Sequence, residues 1–195
     1  MSSVHNPVSW IGTIDYNDAD AGLKKIYDSV RNSNGTLDNL YQAFSLRPHT
    51  IIPADDLYLA ALHHDDNTLP KWFSELIGSY VAILTGCEYA LTHHGHNFIH
   101  LFHDQDKAES ILQALQAGQY DDCFDEKRLD ALRYTEKLTL KPNEITALDI
   151  DVLRHTGWSD GEILEIAQIV AMFSYFVRII NGVGISLVGD KIGLY

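Results

Sequence analysis

Two apolar segments joined by the dipeptide Thr85-Gly86 limit what this chain can fold into. Residues 69–84 and 87–103 both carry apolar side chains at helical spacing, and Pro70 opens the first of them. A dipeptide containing glycine leaves room only to turn the chain back. The two segments therefore read as an antiparallel helix pair, and the rest of the fold must be built around that pair.

The remaining sequence gives further helices and no strand alternation beyond a weak pattern in the tail. Residues 18–31 form a helix, with Leu23, Ile26, Tyr27 and Val30 on one face; Asn32, Ser33, Asn34 and Gly35 stop it. Residues 37–46 form a short helix closed by Arg47-Pro48. Residues 52–63 are a third, with Pro53 in the first turn. Helices follow over 107–117, ended by Gly118, over 125–138, and over 145–155, stopped by Gly157. Ser159-Asp160-Gly161-Glu162 is a capping box opening a last long helix to about Ile180. That helix is apolar on most of its circumference, so it is either central or an oligomer contact. Residues 1–17 read as an extended arm, and Gly182, Gly184 and Gly189 make the tail turn-rich. The expectation is one all-α domain over residues 1–195, with eight to nine helices.

Composition removes several function classes. The net charge of -13 disfavours gripping phosphate backbones or anionic lipid. The opening residues lack the basic and apolar regions of a signal peptide. Residues 163–180 come nearest to a membrane span but are interrupted by Glu165, Gln168, Ser174 and Arg178. Two cysteines, Cys87 and Cys123, imply no disulfide scaffold and fit a reducing cytoplasm. No nucleotide, flavin or haem motif is visible, so no cofactor is expected.

Any chemistry sits on residues 87–103. On a helical wheel Cys87, Ala90, Leu91, His94, Phe98, Leu101 and Phe102 share an arc of roughly 100°. That arc is apolar apart from Cys87 and His94, so it faces inward. Thiol and imidazole lie two turns apart, about 10 Å at the backbone, too far for a direct hydrogen bond. The bridging position is Ala90, which has no chemistry. Cys87 reads either as a reactive thiol or as a small buried hydrophobe. His93, His96, His100 and His103 form a stripe on the opposite face. The stripe reads as a polar outer face, as a metal site, or as a pH-sensitive subunit contact. Glu75, on the preceding helix, either approaches Cys87 or His94, or is an exposed helix glutamate. Beside His94 it would hold the imidazole in one tautomer.

Glu75 and, twelve positions on, Cys87-Glu88-Tyr89-Ala90-Leu91-Thr92-His93-His94 resemble the signature of the AhpD-like (alkylhydroperoxidase D) and carboxymuconolactone decarboxylase superfamily. Arg47-Pro48, residues 153–163 and residues 176–181 look like its peroxidase-related subgroup, so the resemblance spans roughly residues 40–188. It implies an AhpD-like helical domain with orthogonal packing, a homo-oligomer (trimer or hexamer), and Glu75, Cys87 and His94 as catalytic residues. The family's second cysteine, the peroxide-attacking thiol, falls on Ala90, and a histidine found in some members falls on Tyr89.

Three functions follow. In the first, a one-cysteine or degenerate thiol peroxidase, Cys87 attacks a small hydroperoxide and needs an external thiol reductant. Cys123 could be the internal partner, but Asp121 and Asp122 beside it disfavour a thiolate. In the second, a cofactor-free acid–base enzyme of the decarboxylase type, His94 and Glu75 act on a small organic acid. In the third, the protein is a non-catalytic or metal-binding oligomer using the histidine stripe.

Overall fold

Helix α4 (Lys71–Leu84) stands at the centre of the fold because its sequence is apolar on nearly every side. Every residue from Phe73 to Ala82 is buried, and a helix that is hydrophobic all round has to be enclosed. The computed structural model describes residues 7–32 and 35–193. The first six residues of the expected arm, and Ser33 and Asn34 of the expected helix stop, lie outside them.

Nine α-helices and no strand occur among the described residues. In chain order they are α1 (Ala21–Ser29), α2 (Asn39–Ala43), α3 (Ile51–Tyr58), α4, α5 (Glu88–Phe102), α6 (Gln105–Ala117), α7 (Glu126–Leu140), α8 (Ala147–His155) and α9 (Asp160–Val183). The all-α expectation holds. Around α4 pack α5, α9, α7 and α6, and the buried apolar residues of all the helices join in one cluster.

The turn between α4 and α5 is built as its sequence dictates. Gly86 adopts a left-handed φ of 62°, and Cys87 N–H bonds the Ala82 carbonyl at 2.9 Å. This closes α4 with a Schellman turn and sends α5 back along it. The Glu165 carboxylate, from α9, fixes the other end of α4 by accepting from the backbone N–H groups of Thr68 and Leu69, each at 3.0 Å.

The last helix differs from its sequence reading. α9 buries one face, including Ile163, Ile166, Val170, Phe173, Val177 and Ile180, and leaves Leu164 and Tyr175 exposed on the other. The enclosed helix is therefore α4, which leaves α9 amphipathic in position though not in composition. By length and a mean hydropathy of 1.8, α9 is long and apolar enough to cross a membrane, contrary to the reading that its polar interruptions prevent this. Half of it is buried against the protein, as in a core helix. Its N-terminus is the expected capping box: Ser159 N–H donates to Glu162 and Glu162 N–H to the Ser159 hydroxyl. A second box, Thr146 with Asp149, opens α8.

The third predicted helix also changes character. α3 ends at Tyr58, and residues Leu59–His63 continue as a π-helical turn. Asn67 caps that turn by donating to the carbonyls of Ala60 and Ala61. The π spacing of five residues puts Tyr58 and His63 side by side. The described part of the arm lies along the tail that follows α9: Trp10 N–H bonds the Val183 carbonyl and Ser186 N–H bonds that of Val8, both at 2.9 Å.

Candidate active site

The antiparallel pairing of α4 and α5 brings Glu75 to His94. Glu75 Oε2 lies 2.7 Å from His94 Nδ1, and Asn97 Nδ2 donates to Glu75 Oε1 at 3.1 Å. Glu75 is 1% exposed. A carboxylate this deep needs partners for both oxygens, and α5 supplies them from positions three residues apart. The hydrogen bond to Nδ1 leaves His94 Nε2 as the nitrogen available to the cavity beside it. Phe173 of α9 packs edge-on against the His94 ring, with centroids 4.5 Å apart. Gly78 makes room for that contact, since a Cβ there would lie 2.1 Å from the Phe173 ring.

His94 borders a cavity of about 380 Å³, a volume within the usual range for small-molecule sites. α5 contributes Tyr89, Ala90, His93 and Asn97 to its wall, α9 contributes Met172, Phe173 and Phe176, and α3 with its π turn contributes Asp55, Tyr58 and His63. Ala90, the position where the resemblance places a thiol, is thus on the cavity wall. Cys87 is not among the lining residues. It caps the N-terminus of α5 at 1% exposure. Burial pushes its thiol up, against a weaker downward pull from the backbone N–H groups of Ala90 and Tyr89. Cys123 is half-buried, and its thiol is raised by burial and by Asp122. Glu75 and His94 are therefore brought together, whereas Cys87 stands apart from the cavity.

Sequence reasoning missed two groups in this wall and a third that backs it. His63 Nε2 is 2.8 Å from the Tyr58 hydroxyl, and burial holds its pKa below the usual value. Tyr41 donates to Asp55 at 2.5 Å; burial raises both groups. The third group centres on Asp190, in the tail. Its side chain is 3% exposed and accepts from the Tyr89 hydroxyl at 2.5 Å and from Asn39 N–H at 2.9 Å. Asp38 faces the same cavity, with Asn32 donating to it at 2.7 Å. Burial raises the Asp38 carboxyl, and the Asp190 charge raises it further. The i, i+4 spacing of Tyr89, His93 and Asn97 marks the face concerned, but only the docked tail turns it into a wall.

The histidine stripe does not survive as a unit. His93 is 12% exposed, packed at a tilt against the Tyr89 ring and 3.7 Å from Asp190. His96 lies against Gly193, His100 is exposed, and His103 sits beyond α5 in a left-handed conformation. Among the described residues no group of three or more histidine, cysteine or acidic side chains is placed to hold a metal ion. The tail covers His93, whereas His96, His100 and His103 stay exposed as a polar outer face.

No family model and no curated protein matches the sequence. Solved structures do match the fold. An uncharacterized peroxidase-related protein with an alkylhydroperoxidase AhpD core, from Ralstonia eutropha JMP134, superposes with a TM-score of 0.78 at 19% identity over 93% of each chain. A peroxidase-related protein from Silicibacter sp. TM1040 gives 0.77 at 21% identity, over 95% of this chain and 94% of that one. The debrominase Bmp8, a cysteine-to-alanine variant in complex with 2,3,4-tribromopyrrole, gives 0.70 at 19% identity over 95% and 93%. At these identities the likeness establishes one thing, that the chain has the AhpD-like helical fold.

Proposed function

We propose that this protein is a cofactor-free acid–base enzyme in which His94 is the proton-transferring group and Glu75 its positioning residue. The observation that carries this reading is the 2.7 Å contact between Glu75 Oε2 and His94 Nδ1 at the edge of an aromatic-walled cavity. Glu75 holds Nδ1 in the protonated tautomer, so Nε2 presents a lone pair to a bound molecule. The imidazole takes a proton from the substrate there and returns it at another atom. Phe173 packed on the ring and Asn97 bonded to Glu75 fix the His94–Glu75 pair before substrate arrives. The similarly folded debrominase variant in complex with 2,3,4-tribromopyrrole supports a small ring compound as the kind of molecule this fold admits.

The oxidoreductase reading rests on the peroxidase-related relatives and on Cys87. It would need the Cys87 thiolate to meet peroxide. Burial raises that thiol, and Ala90 holds the wall position nearer His94, so the acid–base reading is preferred.

Proton NMR in deuterated water, on a panel of small cyclic carbon acids, tests the choice. Exchange of an acidic C–H should fall by about 10²–10⁴ in His94→Ala and stay unchanged in Cys87→Ala. Exchange indifferent to His94→Ala refutes the acid–base reading. Fast stoichiometric sulfenic-acid trapping at Cys87 would move the assignment to a one-cysteine peroxidase.

A further inference from the structure

The cavity carries a charge imbalance that the acid–base pair does not use. Asp38 and Asp55 are in its wall, and Asp190 lies directly behind Tyr89 and His93. Among the described residues no lysine lines it, and its one arginine is committed elsewhere. Arg31 donates from Nε to Asp28 and from Nη1 to the Gly35 carbonyl, and it stacks on Tyr16 with its guanidinium 4.5 Å from the ring centroid. Of the three histidines among the described lining residues, His63 is held toward its neutral form by burial. His93 Nε2 is buried with no hydrogen-bond partner, and His94 is engaged with Glu75. Asp38 has one neutral donor, Asn32, and forms no ion pair with lysine, arginine or histidine among the described residues.

A half-buried carboxylate beside a second one, offset only in part by the His93 and His94 imidazoles, is costly unless something supplies further positive charge. The walls suit an organic cation. Tyr41, Tyr58, Tyr89, Phe173 and Phe176 border the same space, and aromatic faces attract ammonium groups while packing on apolar rings.

We propose that the cavity binds a small ring-bearing amine as its cation, with the ammonium group at Asp38 and the ring against Phe173 and Tyr58 next to His94. This names a substrate class for the acid–base site and rests on that reading. It differs from the organic acid expected from the sequence, because the charge facing the ligand is negative.

Calorimetric titration of the wild-type protein with phenethylamine, 2-phenylethanol and phenylacetate, which share a ring and chain length, tests the proposal. Phenethylamine should bind at least about tenfold more tightly than the alcohol, a difference of about 1.4 kcal/mol, and phenylacetate should bind most weakly. Asp38→Asn should reduce the preference for amine over alcohol to less than about threefold while the alcohol still binds measurably. Equal affinity for amine and alcohol, tighter binding of phenylacetate, or no binding of any of the three by wild type overturns the proposal. An amine preference that survives Asp38→Asn overturns the assignment of Asp38. Binding is read without turnover, so a failure here leaves the His94 experiment standing, and a failure there leaves this result intact.

Discussion

The two sides of the cavity are made from opposite kinds of sequence. On one side Glu75 and His94 sit on neighbouring helices joined by a short turn, nineteen residues apart. On the other, Asn39 and Tyr89 meet Asp190, 151 and 101 residues away. The first side is closed on itself: both Glu75 oxygens have partners inside the helix pair. The second is closed by the tail after α9, whose Asp190 carboxylate reaches back to α2 and α5. Local geometry can place the first pair in advance, because a two-residue join allows only one pairing of the helices. Nothing local determines where a glycine-rich tail lies.

The closed side should be the more costly to break. His94→Leu strands the buried Glu75 carboxylate with Asn97 as its remaining side-chain donor. Urea unfolding should show a loss of about 3–5 kcal/mol, the usual penalty for removing one member of a buried pair. Adding Glu75→Leu should restore most of it, since two apolar residues leave no charge to compensate. A double variant no more stable than His94→Leu would mean that the pair is not energetically coupled, and the contrast between the two sides would collapse.

The tail side should give less, and give it locally. Tyr89→Phe removes the hydroxyl that donates to Asp190 and accepts from Leu40 N–H at 3.3 Å. Asp190 keeps Asn39 N–H, so the expected cost is about 1–2 kcal/mol. Amide hydrogen exchange should accelerate in residues 184–193 and at the start of α2, with α4 unchanged. Uniform acceleration across α4 and α5 would show that the tail is part of the main cooperative unit.

The same distinction explains what the sequence disclosed. Helix periodicity, the Ser159 capping box and the inward arc bearing Ala90, His94 and Phe98 were legible because each depends on residues within a few turns of one another. The Glu75–His94 contact was legible as one of two outcomes. The exclusion of Cys87 from the cavity was not, because a wheel assigns a face without saying which part of that face borders empty space. His63 was hidden by the π turn, which replaces a spacing of four with one of five. Within the histidine stripe only His93 departs from the outer-face reading, because its wheel position describes α5 alone while the docked tail decides what is covered.

The smallest expected effect has the opposite sign. Asp38 is raised from 3.8, first by burial and then by Asp190, with partial relief from His93, Asn32 and His94. A carboxyl whose folded pKa exceeds its unfolded one keeps its proton longer in the native state. Between 3.8 and the raised value the native protein therefore binds more protons, and its stability falls as pH increases. The loss is complete above the folded value and absent below 3.8. Asp38→Asn cannot ionise, so it should melt higher than wild type at pH 7. The gain should shrink as pH is lowered and vanish below the unfolded carboxylate range, at about pH 3.5. Phenethylamine at saturation should also narrow the difference at pH 7, because the ligand's charge then compensates Asp38 in the wild type alone. A variant less stable than wild type at pH 7 would mean that Asp38 is already compensated within the protein. The tail side would then be as closed as the Glu75 side, with no charge left for a ligand to meet.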